Sequence, residues 1–214
     1  MRRVEALKAI YGRLENVAVV TIMGAVAAEL QELGHRENFF YLQHAMGLAS
    51  SVGLGIALAR PELPVVVFDG DGSVLMNLGG LTTLGRYRPR NLVHVVFDNE
   101  SLLSVGGFPT ATGSGTDLAQ VAAASGVPRT ALVRSLDAFV QEFDAARAAR
   151  ELTTIVAKVE ATGPARFVTD LGLLENRFQF ARCLQTAAAR DNDNEPLALR
   201  RAPPKPEVRR RESV

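Results

Sequence analysis

Two short apolar runs, each followed at once by acidic and amide side chains, constrain the fold of this chain more than any other feature. Residues 65–68 (VVVF) and 92–97 (LVHVVF) are rich in β-branched and aromatic residues. They are typical of strands buried on both faces. Residues 69–72 (DGDG) follow the first run and residues 98–100 (DNE) the second. Because parallel strands end at one edge of a sheet, the sequence predicts that these oxygen-bearing side chains lie together there.

The residues around Asp71 have the composition of a phosphate- and metal-binding turn. Gly70 and Gly72 allow the backbone to turn sharply and a ligand to come close. The residues from Ser73 onward predict a helix whose first N–H groups are free to bind a phosphate. Carboxylate and amide oxygens beside a phosphate suit Mg²⁺. Surface turns also use Asp and Gly often, so the motif alone leaves an ordinary turn as the alternative.

Strands and helices alternate along the rest of the chain. This order predicts an α/β fold: an open, mostly parallel, doubly wound sheet of about six strands with helices on both faces. One domain is expected over residues 1–185, and a disordered tail rich in proline and arginine over residues 186–214. The predicted strands are residues 17–22, 39–42, 65–68, 92–97, 130–133 and 153–159, and the predicted helices are residues 25–33, 47–59, 73 onward, 117–125 and 136–150.

Composition excludes several classes of function. The net charge of +1 gives no general attraction to nucleic acid or to a membrane surface. No apolar stretch approaches the roughly 20 residues of a membrane-spanning helix. The single cysteine, Cys183, excludes an internal disulfide and fits a reducing compartment. We therefore expect a cytoplasmic protein.

The GDG at residues 70–72, followed after 25 residues by Asp98-Asn99, resembles the signature of thiamine-diphosphate-dependent enzymes. In that signature the second motif is usually NN, so Asp98 is a departure. The resemblance implies that Asp71, Asn99 and the carbonyl of Ser101 bind Mg²⁺. It also implies that the amides of Gly72 and Ser73 bind the diphosphate. The residues that it implies for cofactor binding in this part of the chain are Gly70, Asp71, Gly72, Ser73, Asn99, Ser101, Leu102 and Leu103.

The same resemblance gives a role to the turn that precedes the third predicted helix. Met46 stands where the family has a large apolar residue that wedges under the cofactor, and Ala45 beside it is also implied to bind the cofactor. The carbonyl of His44 is implied to accept a hydrogen bond from the aminopyrimidine. The His44 side chain is a candidate catalytic proton relay, with a local cap as the alternative. Without the resemblance, Met46 reads as a core residue.

The run at residues 102–115 is predicted to be a structureless loop with glycine hinges. The resemblance implies that this loop closes over the diphosphate. Residues 106–110 (GGFPT) are similar to the GGQPT of sulfopyruvate and phosphonopyruvate decarboxylases, with Phe108 in place of Gln. The loop contains no basic residue to contact an anionic substrate.

Residues 53–55 (GLG) offer a rival interpretation, the start of a dinucleotide-binding G-x-G-x-x-G. Leu58 stands at the position of the third glycine, and the residues before Gly53 do not read as a strand. Both departures weigh against a nucleotide site here.

The resemblance implies a thiamine-diphosphate-dependent 2-oxo acid decarboxylase. In that family a separate domain binds the pyrimidine and carries an activating glutamate, and this chain has no room for it. We therefore expect a β subunit, similar to that of sulfopyruvate decarboxylase, that is inactive alone and forms a hetero-oligomer with a pyrimidine-binding α subunit. Phosphonopyruvate or another 2-oxo acid is the alternative substrate. A non-catalytic cofactor-binding module for assembly or regulation is the alternative function.

Overall fold

The structure is a computed structural model that describes residues 1–166 and 172–192. Its eight strands are β1 (Ala18–Thr21), β2 (Phe39–Tyr41), β3 (Val65–Gly70), β4 (Leu92–Asp98), β5 (Ser101–Leu102), β6 (Phe108–Pro109), β7 (Arg129–Val133) and β8 (Thr153–Lys158). Six of them form one sheet in the order β2-β1-β3-β4-β8-β7, and every pairing in it is parallel. The predicted sheet is confirmed. The remaining two, β5 and β6, form a separate antiparallel pair.

The described helices begin and end largely where the sequence signals place them. They are α1 (Arg3–Ile10), α2 (Ala25–Leu33), α3 (Ala49–Ala59), α4 (Asp71–Met76), α5 (Gly79–Tyr87), α6 (Leu118–Ala124), α7 (Leu136–Ala149) and α8 (Leu173–Asn192). Gly34 ends α2 with φ 126°, and the Asp117 side chain caps α6 by accepting from two backbone N–H groups. The single helix predicted from Ser73 onward is wrong, because Asn77 and Leu78 divide it into α4 and α5.

Helices cover both faces of the sheet. On one face α3 packs so closely that a Cβ on Gly53 would overlap Cγ2 of Val67 in β3. On the other face the rings of Phe68 and Phe97 stack with centroids 5.9 Å apart, and Phe97 packs against Phe139 of α7 at 5.9 Å. This arrangement confirms the doubly wound α/β class.

The position of Gly53 also decides the rival dinucleotide interpretation. Gly53 lies inside α3, which begins at Ala49, and not in a turn between a strand and a helix. Its lack of a side chain serves the contact with the sheet. The GLG run is therefore a packing feature.

The last described helix, α8, covers the edge strand β2. The Asn176 side chain accepts from the N–H of Tyr41 at 3.0 Å and donates to the carbonyl of Phe39 at 2.7 Å, which satisfies the exposed edge as another strand would. Phe180 stacks on Phe40 with centroids 5.3 Å apart.

Helix α8 extends to Asn192, past the domain boundary predicted after residue 185. The rest of the predicted tail, residues 193–214, lies outside the described residues. No helix within residues 1–166 and 172–192 combines the length and apolar character needed to cross a membrane.

Candidate functional site

A cleft of about 110 Å³ lies at the carboxyl edge of the sheet, where β1, β3 and β4 end. It is formed between the turn after β1, the start of α4 and the segment after β4. It brings together most of the residues that the resemblance implies for the cofactor: Met46, Gly70, Asp71, Gly72, Ser73, Asn99, Ser101, Leu102 and Leu103.

Asp71, the first residue of α4, is the central acid of this cleft. Its side chain is buried, with 2% of the residue exposed. Thr110 Oγ1 donates to its Oδ2 at 2.5 Å, and Thr112 Oγ1 lies 3.3 Å from the same oxygen. Burial raises the pKa of Asp71, and the nearby Asp98 raises it further, while the bond from Thr110 lowers it. Within the described part of the chain, no cationic side chain forms an ion pair with this carboxylate.

Asn99 and Ser101 lie in a tight turn directly after β4. Asn99 Oδ1 accepts from the N–H of Ser101 at 3.1 Å, and the intervening Glu100 has a left-handed backbone with φ 60°. This turn directs the chain back across the end of the sheet toward Asp71. Asn99 and Ser101 thus line the same small cleft as Asp71.

Asp98, the departure from the usual signature, is buried behind the cleft with 1% exposed. Its Oδ1 accepts from Thr112 Oγ1 at 2.7 Å and from the N–H of Glu100 at 3.1 Å. Its Oδ2 lies 2.7 Å from Nζ of Lys158, which is also 2.7 Å from Oε1 of Glu100. Burial lowers the pKa of Lys158, but the bonds to these two carboxylates outweigh it and leave that pKa raised.

Sequence reasoning did not assign roles to Thr110, Thr112 or Lys158. Lys158 had no signal of its own in the sequence, because its pairing in register with Asp98 appears only in the structure. The two threonines had a weak signal, their place in the loop that follows the second motif.

The turn that carries Met46 is tied to α4 by two hydrogen bonds. The N–H of Gly47 donates to Ser73 Oγ at 2.9 Å, and Asn77 Nδ2 donates to the carbonyl of Gly47 at 2.9 Å. His44 is exposed, with φ 52°, and its N–H lies 3.1 Å from Sδ of Met23. Neither His44 nor Ala45 lines the cleft.

The loop at residues 102–115 lies over the cleft and is more ordered than the sequence predicts. Strands β5 and β6 pair within it, and Ala111–Ser114 form a 3₁₀ turn. Leu102 packs directly on Gly72, where a Cβ would overlap its Cδ2, so glycine is required at that position. Phe108 is 66% exposed.

The residues at the cleft fit a divalent cation held together with a phosphate. Within residues 1–166 and 172–192 no three His, Cys, Asp or Glu side chains could hold a metal ion by themselves. A cation at Asp71 would therefore need the Asn99 amide, a backbone carbonyl and oxygens from a ligand, which is the oxygen-rich set that Mg²⁺ prefers. Burial and the charge of Asp98 both disfavour the ionised form of the Asp71 carboxylate, and a bound cation would stabilise that form.

A cleft that fits a phosphate and a metal ion thus lies at the carboxyl edge of an open α/β sheet. This combination defines a cofactor-binding domain. Residues 20–157 match the family described as thiamine pyrophosphate enzyme, C-terminal TPP binding domain, and the chain belongs to this family.

Relatives and solved structures agree with this assignment. The chain is 40% identical over 158 residues to sulfopyruvate decarboxylase subunit beta of Methanocaldococcus jannaschii, covering 73% of this chain and 83% of that protein. It is 48% identical over 136 residues to phosphonopyruvate decarboxylase of Streptomyces viridochromogenes, covering 63% of this chain but 34% of that longer protein. Benzoylformate decarboxylase of Polynucleobacter necessarius shares the fold, with a TM-score of 0.64 and 20% identity over 77% of this chain and 34% of that one.

Proposed function

We propose that this chain is the β subunit of a thiamine-diphosphate-dependent 2-oxo acid decarboxylase of the sulfopyruvate type. The observation that carries the proposal is the 40% identity to a sulfopyruvate decarboxylase subunit beta over 83% of that subunit's length. The match to the cofactor-binding family and the cleft around Asp71 support it.

In this proposal the chain binds the diphosphate end of the cofactor through Mg²⁺. Asp71, Asn99 and the carbonyl of Ser101 are the metal ligands, and the first amides of α4 bind the phosphate oxygens. Met46 packs beneath the cofactor from the turn that Ser73 ties to α4. The bound cofactor would supply the nucleophilic carbon and the electron sink that loss of carbon dioxide from a 2-oxo acid needs.

The partner is proposed to be an α subunit that binds the pyrimidine and supplies the activating glutamate. Exposed apolar side chains in the segments that border the cleft would give this α subunit a surface to bind. Leu48 and Met76 are 46% and 60% exposed, and Leu103 and Val105 are 39% and 58% exposed. Clusters of this kind mark protein interfaces. We therefore expect the isolated chain to be inactive.

The anionic group of a sulfopyruvate-like substrate needs a cation or several N–H donors. Two basic side chains at this edge are already engaged. Arg3, which lines the cleft, donates to Glu29 at 2.8 and 2.9 Å, and Lys158 contacts two carboxylates. We therefore assign recognition of the anionic group to the partner or to backbone amides of the loop. Phosphonopyruvate remains the alternative substrate on the same chemistry.

Native mass spectrometry of the tagged chain, isolated gently from its own cells, tests this proposal. We expect a complex with a second polypeptide, with added mass for thiamine diphosphate and Mg²⁺, that decarboxylates sulfopyruvate. The single cysteine leads us to place this complex in the cytoplasm. A homo-oligomer without cofactor would contradict the proposal, and a cofactor-bound complex that turns over no 2-oxo acid would favour an assembly or regulatory module.

A further inference from the structure

A continuous line of polar contacts runs from the end of β8 to the carboxylate of Asp71. Lys158 Nζ contacts Asp98, Asp98 accepts from Thr112, and Thr112 lies 2.8 Å from Thr110, which donates to Asp71. The exposed fraction is 1% to 6% for these two acids and two threonines. At such burial, hydrogen bonds and charges are weakly screened by water, so each contact fixes the next.

The donors available decide the direction of these bonds. Each threonine hydroxyl has one hydrogen, and an ionised carboxylate only accepts. At 2.5 Å from Oδ2 of Asp71, Thr110 donates to that oxygen. Thr112 is 2.7 Å from Oδ1 of Asp98 and donates there, since a carboxylate is a stronger acceptor than a hydroxyl. Thr112 is thus anchored by Asp98. With both hydroxyl hydrogens donated to carboxylates, Thr112 restrains Thr110 through the short backbone link between the two residues and through the 2.8 Å contact of their oxygens.

Three donors contact the carboxylate of Asp98. Its Oδ1 accepts from Thr112 and from a backbone N–H, while its Oδ2 faces Nζ of Lys158. An amide has a single acceptor oxygen, so the substitution Asp98→Asn would turn an N–H₂ group toward one of these donors. Asp98 and Lys158 are paired in register on β4 and β8, so the ion pair is built into the sheet.

We propose that Asp98 and Lys158 are positioning residues for Asp71. Through Thr112 and Thr110 they tie the loop at residues 102–115 to the end of the sheet and hold Oδ2 of Asp71 against the two hydroxyls. No side-chain donor in the described part of the chain reaches the other oxygen, Oδ1, which this arrangement leaves for a cation. The inference rests on the proposed function, because it concerns the carboxylate assigned to Mg²⁺.

The first test needs no cofactor and follows hydrogen exchange of the loop amides in the full chain. The reporter is the N–H of Thr110, which donates to the carbonyl of Glu100 at 3.0 Å. We expect Lys158→Met to speed exchange there about tenfold, because it leaves the Asp98 carboxylate buried without its cation. Arg129→Met is the matched control, since it breaks an ion pair with Glu142 at 2.6 Å at the far edge of the same sheet. Equal loop exchange in both variants would overturn the proposal.

The second test measures Mg²⁺ affinity by calorimetry at saturating thiamine diphosphate, well below the melting temperature. Lys158→Met and Thr112→Val should weaken Mg²⁺ binding by about 10- to 100-fold, and Thr112→Ser should restore it. The Arg129→Met control should bind as the wild type does. A merely structural role would lower the melting temperature without this pattern of affinity and rescue, and would overturn the proposal.

The two tests separate failure of this inference from failure of the proposed function. If the wild type binds Mg²⁺ and cofactor but the variants bind equally well, only the positioning role falls. If the wild type shows no Mg²⁺-dependent cofactor binding, both the proposed function and the proposed role of Asp71 are wrong, whatever the exchange rates of the loop amides.

Discussion

Replacing Asp71 by asparagine should separate metal binding from folding. The carboxylate is 2% exposed, and burial together with Asp98 disfavours its charged form. Asp71→Asn removes that charge while keeping the size of the side chain and an oxygen that accepts from Thr110. We therefore expect Mg²⁺-dependent cofactor binding to be lost while the apo fold persists.

The magnitudes follow from these contacts. Loss of the charge weakens the bond from Thr110 by about 1–2 kcal/mol, and relief from burying an uncompensated carboxylate acts in the opposite direction. The net change in the free energy of unfolding should stay within about 1 kcal/mol. Mutation of a residue that only supports a metal ligand weakens metal binding about 10- to 100-fold. Loss of the charged ligand itself should therefore weaken Mg²⁺ binding more than about 100-fold.

Two measurements on the full chain test this prediction: urea unfolding of the apo form and calorimetric titration with Mg²⁺ at saturating thiamine diphosphate. Asp117→Asn is the matched control, because Asp117 caps α6 away from the cleft and asparagine caps helices about as well. The reasoning is refuted if Asp71→Asn binds Mg²⁺ within tenfold of the wild type. A loss of more than about 3 kcal/mol of apo stability would instead identify Asp71 as a structural anchor of the loop.

Three further outcomes are expected. If Asp71 binds Mg²⁺ as proposed, the ion needs its deprotonated carboxylate, whose pKa is raised by burial, so calorimetry across a pH series should show affinity falling at a higher pH than for an ordinary aspartate. Gly53→Ala should lower the free energy of unfolding by about 1–3 kcal/mol, because the new methyl group would clash with Val67. Gly55→Ala in the same helix meets nothing within 4 Å and should raise the free energy of unfolding by up to about 1 kcal/mol. Equal effects of the two substitutions would contradict the close packing of α3 on the sheet. Asn176→Ala should lower urea stability by about 1–3 kcal/mol by leaving the backbone of β2 unpaired, and an unchanged midpoint would show that α8 does not protect that edge.

The sheet was predictable because its signals are local. Buried strands read as short β-branched runs, and Gly34 and Asp117 mark helix ends by their own backbone and side-chain preferences. The division between α4 and α5 was not predictable in this way. Asn77 ends α4 with φ −145°, and its side chain bonds to Gly47, which is 30 residues away in sequence, so tertiary contacts decide the break.

The cleft shows the same division between local and distant information. Asp71 and Asn99 were found because each follows its own strand, and strand order alone brings the two ends together. The hydroxyls that contact Asp71 belong to Thr110 and Thr112, in the loop at residues 102–115, whose path no periodicity fixes. Lys158 became meaningful only through its register with Asp98, which depends on β8 lying beside β4 and not beyond β7.

Two buried carboxylates at this edge of the sheet differ in whether the chain itself supplies their counter-charge. Asp71 and Asp98 lie at the ends of neighbouring strands and are 2% and 1% exposed. Asp98 has its counter-charge inside the chain, because Lys158 contacts it at 2.7 Å. Asp71 receives only neutral hydroxyl and backbone donors in the described residues, and the charge of Asp98 disfavours its ionised form. A buried carboxylate without a paired cation is costly to keep, so we expect its counter-charge to come from a ligand, and Asp71 lines the cleft to which we assign the cofactor.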